Sequence, residues 1–173
     1  MIAGERCSLR RYQTGDVERL VALAGDIEVA RYTSHAFPHP YTAEHARAWI
    51  AKAGAEAPLN SLAVDVGGAL AGGVGIVPQT GESRGVALFG YWIGREYWGR
   101  GIATEAAWLL ARYALEERGF RRLEAYTYAP NLASARVLEK CGFTREAVLR
   151  EAVVDRDGTV MDAFLYARLR SEG

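Results

Sequence analysis

Between residues 86 and 128 the chain runs strand, glycine turn, helix, strand, and that order limits what the remainder can become. Val86 to Gly94 is apolar and aromatic, with Phe89, Tyr91 and Trp92, and fits a buried strand. Arg95 to Arg100 is a loop. Gly101 to Glu117 places Ile102, Ala106, Leu109, Leu110 and Tyr113 along one helical face, and Gly119 ends that helix. Leu123 to Tyr128 is the next strand. A strand that reaches its neighbour through a helix pairs with it in parallel. Elsewhere the chain signals hairpins. Gly67-Gly68 separates the alternating Leu62–Val66 from Ala69–Val77, and Asp157-Gly158 separates Thr144–Val154 from Thr159–Leu169. With Cys7 to Arg11 as an opening strand, this predicts an α+β fold: a mixed, mostly antiparallel seven-stranded sheet with helices on both faces. The 173 residues suit one domain spanning 1–173.

The other segments are consistent with that frame. Val17, Leu20, Val21 and Ala24 form a helical stripe over Asp16–Ala24. Arg31 to Tyr41 carries two prolines, two histidines and three aromatics, and Pro38 and Pro40 exclude a regular helix there. Thr42 caps a helix running to about Ala53, with His45 where a full capping box would have Glu. Asn131 to Lys140 is a short helix stopped by Gly142.

Composition removes several classes of function. Lys+Arg and Asp+Glu both number 21, so the formal charge is zero, unlike a polybasic membrane binder or a nonspecific nucleic-acid binder. With 50% hydrophobic and 24% charged residues the chain is too apolar for disorder. Cys7 and Cys141 make neither a disulfide framework nor a zinc site. Met1 to Cys7 has no apolar signal core, and no run approaches the length of a membrane span. The expectation is a soluble, cytoplasmic protein without direct contact to nucleic acid or membrane.

The chemistry points to Tyr97-Trp98-Gly99-Arg100-Gly101-Ile102-Ala103-Thr104-Glu105. The first amides of a helix have no internal partners, and this turn offers no Ser, Thr, Asp or Asn cap. Open amides, small residues and the helix dipole together suit a phosphate or pyrophosphate. Taken alone, a short Gly-x-Gly reads first as a tight turn with a water-capped helix. Further on, Asn131, Ser134 and Leu138 fall on one helical face, although Asn131 and Ser134 also fit plain capping and first-turn roles.

Together these elements resemble the GNAT superfamily of acetyl-CoA-dependent N-acetyltransferases. Tyr91-Trp92-Ile93-Gly94-Arg95-Glu96-Tyr97-Trp98-Gly99-Arg100-Gly101-Ile102-Ala103-Thr104-Glu105-Ala106 is very similar to the branch of ribosomal-protein-serine and -alanine N-terminal acetyltransferases. Asn131-Leu132-Ala133-Ser134 and Glu139-Lys140-Cys141-Gly142-Phe143 are similar to the same branch. The element order from Cys7 to Leu169 agrees.

The resemblance implies a set of roles. The pyrophosphate of acetyl-CoA would lie on the amides of Trp98, Gly99, Arg100, Gly101, Ile102, Ala103 and Thr104. Pantetheine would pair with the backbone of Tyr91, Trp92 and Ile93, facing Tyr126 to Tyr128, and an amide near Ile93 would polarise the thioester oxygen. Asn131 would bond the pantetheine arm, and Ser134 would act as the catalytic residue near sulfur. Leu138 stands where many members have a tyrosine acid, and Leu88 where many have Glu. His35, His39 and Glu151 are candidate bases by chemistry alone. An α-amino group, with its pKa near 7.7–8.0, needs little help to lose a proton. Arg100, Arg136 and Lys140 would meet the 3′-phosphate, or be solvated charge. Arg31 to Tyr41 would border the acceptor. Cys141 reads as buried filler rather than a nucleophile, and no metal is expected.

The implied reaction is direct acetyl transfer to a primary amine in a ternary complex. The acceptor is a peptide N-terminus, with a small amine (antibiotic, polyamine or amino acid) or a weakly catalytic acyl-CoA-binding module as alternatives. The sequence leaves the oligomeric state open, a homodimer included.

Overall fold

The computed structural model describes residues 1–172. Its strands are β1 (Ile2–Ala3), β2 (Ser8–Arg10), β3 (Ser61–Val66), β4 (Ala69–Pro78), β5 (Val86–Ile93), β6 (Arg122–Tyr128), β7 (Thr144–Val154) and β8 (Val160–Leu169). The helices are α1 (Val17–Ala24), α2 (Ile27–Ala30), α3 (Ala43–Gly54), α4 (Ile102–Arg112) and α5 (Leu132–Lys140). The strands bond in the order β1-β2-β3-β4-β5-β6-β8-β7. β5 and β6 are parallel; β1–β2, β2–β3, β3–β4, β6–β8 and β7–β8 are antiparallel. The mixed, mostly antiparallel sheet with helices is as expected, but it has eight strands where seven were expected. The eighth is β1, which folds back through a turn closed by Gly4 N–H to Cys7 C=O at 2.9 Å. Two residues cannot show a period, so no local pattern marks it.

Two compact units divide the chain: Met1–Gly75 with Tyr91–Ala106, and Ile76–Gly90 with the chain from Ala107 onward. In the first, the β3–β4 hairpin turns at Gly67 and Gly68, with φ of +62° and +87°. Both central residues thus have the positive φ that favours glycine in a tight hairpin turn. Tyr12, Leu20, Ala24, Tyr41, Ala46, Ile50, Ala53, Ala63 and Leu70 form one buried cluster joining α1 and α3 to the strands. Arg10 on β2 donates to Asp16 at 2.8 Å through both Nη1 and Nη2, and through Nε to Asp65 on β3 at 2.7 Å. α3 starts as expected: Thr42 Oγ1 accepts from His45 N–H at 3.3 Å, and His45 Nδ1 accepts from Thr42 N–H at 3.2 Å. α2 was not expected; Asp26 caps it, accepting from Glu28 N–H at 2.9 Å.

In the second unit β6 pairs with β8 from Arg122–Leu169 to Tyr128–Ala163. The β7–β8 hairpin closes on Asp155, whose Oδ1 accepts from Asp157 N–H and Thr159 N–H at 2.9 and 2.8 Å. Gly158 in that turn has φ +85°. The Phe89 and Phe143 rings lie 5.0 Å apart. After Arg112 the helix loosens into a π-type turn, Tyr113–Glu117, and Gly119 leaves it at φ +72°.

Candidate functional site

The site is built around the turn that follows β5. Gly94 N–H donates to Ala71 C=O at 2.8 Å, and a Cβ on Gly94 would stand 2.6 Å from Leu23 Cδ2. A side chain there would require the buried Leu23 to shift. One short 3₁₀ turn, Arg95–Tyr97, follows. Tyr97 is buried and receives Arg19 Nη2–H on its hydroxyl at 2.7 Å. The Arg19 and Arg100 guanidinium carbons lie 5.6 and 5.4 Å from its ring centre, within cation–π range. Arg19 also pairs with Glu96 and donates to Leu70 C=O.

Gly99 and Gly101 then take φ of +72° and +77°, which turns the chain into α4. The first helical bond is Glu105 N–H to Gly101 C=O at 3.0 Å. Among the described residues no acceptor meets the amides of Gly99, Arg100, Gly101, Ile102 or Ala103. A Cβ on Gly99 would meet nothing within 4 Å, so the turn presents bare backbone there. Trp98 departs from expectation: its amide donates to Arg95 C=O at 3.1 Å. That N–H is therefore engaged within the turn instead of being available to a ligand. The Trp98 indole N–H donates to Ile93 C=O at 2.7 Å, tying the turn to the end of β5. Thr104 lies in the first turn of α4 and is half-buried.

Tyr91 and Trp92 are half-buried and Ile93 is buried. The β5–β6 ladder pairs Val86, Ala87 and Leu88 with Arg122, Leu123 and Glu124, while β5 continues to Ile93 and β6 to Tyr128. β4 comes very close to β5 here. A Cβ on Gly72 would stand 2.3 Å from Trp92 O, and one on Gly73 would meet Tyr12 Oη and Trp92 Nε1 at 2.3 and 2.7 Å. The proline-rich segment is irregular, as expected, and brings Phe37 edge-on to Trp92 at 5.6 Å and beside Tyr41 at 5.4 Å.

On α5, Asn131 is the cap: its Oδ1 accepts from Ser134 N–H at 3.2 Å. Ser134 is half-buried and Leu138 is 1% exposed. Leu138 therefore belongs to the packing, and no acid occupies that position. Arg136 and Lys140 are exposed.

The remaining candidates are dispersed. His35 and His39 are exposed in the irregular segment. Glu151 is exposed on β7 at φ +51°, its N–H donating to Asp162 Oδ1 at 2.9 Å. No cluster of metal-ligating side chains exists among the described residues, and no described helix is long and apolar enough to cross a membrane. Burial pushes the Cys141 thiol up to about 11. Burial and the Glu105 carboxylate push Cys7 to about 12. Neither is a thiolate near neutral pH.

Glu105 has a role that the motif does not reveal. Its carboxylate accepts the N–H groups of Glu5, Arg6 and Cys7 at 2.8, 2.7 and 2.8 Å, fixing the segment before β2 beside the first turn of α4. Partners so distant in sequence leave no local signal.

The family described as Acetyltransferase (GNAT) domain matches residues 6–144. The chain is 43% identical over 67 residues to the probable N-acetyltransferase YjcK of Bacillus subtilis, covering 39% of this chain and 37% of that protein. It spans about half the length of two further curated relatives. It is 26% identical over 171 residues to the uncharacterized N-acetyltransferase YokL of Bacillus subtilis, covering 98% of this chain and 93% of that one. A GNAT-family acetyltransferase structure from Bacillus anthracis superposes with TM-score 0.84 at 25% identity over 98% of both chains. Two more distant structures share the fold. RimL, a ribosomal alpha-N-protein acetyltransferase in complex with coenzyme A, has TM-score 0.83 at 19% identity over 97% of each chain. MccE, a self-immunity acetyltransferase in complex with acetyl-CoA and AMP, has TM-score 0.78 at 22% identity over 96% of this chain and 93% of that one.

Proposed function

The chain belongs to the GNAT acetyltransferase domain family, and from that premise we propose that it moves an acetyl group from acetyl-CoA to a primary amine, the N-terminal α-amino group of a protein. The observation that carries this reading is the run of five bare amides, Gly99 to Ala103, at the start of α4. Oriented N–H groups at a positive helix end stabilise a diphosphate without needing a metal. Residues 1–173 act as one domain in this reading, because neither compact unit is continuous in sequence.

The roles follow from what each group has to offer. The backbone of Tyr91, Trp92 and Ile93 pairs with pantetheine as a strand would. Asn131 uses its side-chain oxygen on Ser134 N–H, so its Nδ2 donors face the pantetheine carbonyls. Ser134 hydrogen-bonds the departing sulfur; a hydroxyl so placed stabilises a thiolate better than it delivers a proton. The amine attacks the thioester carbonyl as the neutral base. With Leu88 in the strand, water takes its proton. Arg100, held on the Tyr97 ring, and the exposed Arg136 and Lys140 supply positive charge for the 3′-phosphate.

The test is thiol release from acetyl-CoA against N-terminal peptides, polyamines, amino acids and aminoglycosides, with mass spectrometry of extract proteins after labelled acetyl-CoA. Turnover with peptides and an acetylated protein N-terminus supports the proposal. Turnover with small amines alone transfers the assignment to a small-molecule acceptor. Tight CoA binding without turnover leaves a binding module. Gly101→Val, which puts a branched side chain at φ +77°, should reduce CoA affinity by at least tenfold, measured by calorimetry.

A further inference from the structure

An arginine outside every motif lies across the glycine turn. Arg6 stands between β1 and β2, and its Cδ and Nε lie 3.5 Å, and its Cζ 3.9 Å, from where a Cβ of residue 101 would be. Its backbone is pinned there, because its own amide is the middle one of the three held by Glu105. The side chain is exposed, and among the described residues its guanidinium has no hydrogen-bond or ion-pair partner. The neighbouring charges are already committed. Glu96 pairs with Arg19, Arg100 lies on Tyr97, and Glu105 is filled by backbone. An unpaired guanidinium thus lies beside Gly101 in a turn with five bare amides, and the nearby Glu105 carboxylate is already taken up by backbone N–H groups. A guanidinium beside a helix N-terminus favours an anion there.

We propose that Arg6 is a ligand-binding residue for the diphosphate, closing over the turn from the side opposite in sequence. The proposal rests on the reading of the turn as a pyrophosphate site. Its planar fork presents paired N–H groups to phosphate oxygens, while the turn presents main-chain N–H groups to the same ion. Gly101, at φ +77°, then leaves the backbone open to the ligand beside the Arg6 stem. Glu105 is a positioning residue in this scheme, since it touches the Arg6 backbone and not the ligand.

The experiment measures the Kd of CoA and dephospho-CoA by calorimetry for the unaltered protein and for Arg6→Ala and Arg6→Gln, either variant being sufficient. Ligand-free thermal midpoints monitor folding. Both variants should bind both ligands about tenfold more weakly, as loss of one charge-assisted contact predicts, with midpoints within about 2 °C of the parent. Unchanged affinity in the variants, with the parent binding normally, overturns the role of Arg6 and leaves the turn standing. A loss seen with CoA but not with dephospho-CoA places Arg6 on the 3′-phosphate and overturns the diphosphate assignment. A parent protein that binds neither ligand overturns both this proposal and the reading beneath it.

Discussion

Ser134 and Leu138 lie one helical turn apart on α5, and their burial separates their roles. Leu138 is almost wholly enclosed while Ser134 is half-open, so Ser134 is the hydroxyl that can meet a ligand on that face. Ser134→Ala removes one hydrogen bond to a developing thiolate. It should lower kcat by roughly ten- to a hundredfold while KM for acetyl-CoA changes less than threefold, read by steady-state thiol release. An equal loss in kcat/KM and in CoA affinity would mark Ser134 as a binding group. Equal kinetics before and after would leave it a helix residue. Trp98 shows the limit of reading roles position by position. Its place in the motif suggested an available amide, but the Arg95–Tyr97 turn had already claimed that N–H.

At the scale of elements, caps and turns were legible because they depend on residues within a few positions. Thr42 with His45, Asn131 with Ser134, Gly67-Gly68 and Asp157-Gly158 all act as the local chemistry dictates. Thr42→Ala deletes the acceptor for the His45 amide and should destabilise the protein by about 1 kcal/mol, lowering Tm by about 2–4 °C, as differential scanning calorimetry would show. An unchanged Tm would mean that solvent already serves that amide. Elements shorter than one hydrophobic period were not legible. β1 has two residues and α2 four, and each exists because a neighbour completes it. The helix expected to run unbroken to Glu117 instead widens after Arg112, a change that apolar spacing does not register.

Across the molecule, carboxylates set the acid stability. Burial raises the pKa of Asp16, but the Arg10 guanidinium and the Gln13 amide outweigh it and hold the group below its ordinary range. Glu105 behaves alike: burial raises it, and the amides of Glu5, Arg6 and Cys7 bring it down. A carboxylate whose folded pKa is depressed contributes stability above its unfolded pKa and loses it as pH falls through the folded value. Unfolding free energy should therefore fall as pH drops below about 4. Asp16→Asn should destabilise the protein at pH 7 by about 3 kcal/mol or somewhat less, since Arg10 keeps Asp65. It should also flatten the acid limb, measured by urea unfolding from neutral pH downward. An acid limb as steep as the parent's would place the titrating groups elsewhere.

Residue order alone determined the α+β class, the parallel step at β5 and β6, the hairpins, and the glycine turn with its open amides. Each depends on a dihedral preference, a period or a missing side chain, and these are local properties of the chain. Tertiary structure decided what stands around that turn. Glu105 reaching the amides of residues 5 to 7, Arg6 lying over Gly101, and Phe37 set edge-on to Trp92 all join positions tens of residues apart. Such contacts arise from how packed elements share space, and no window of sequence contains both partners.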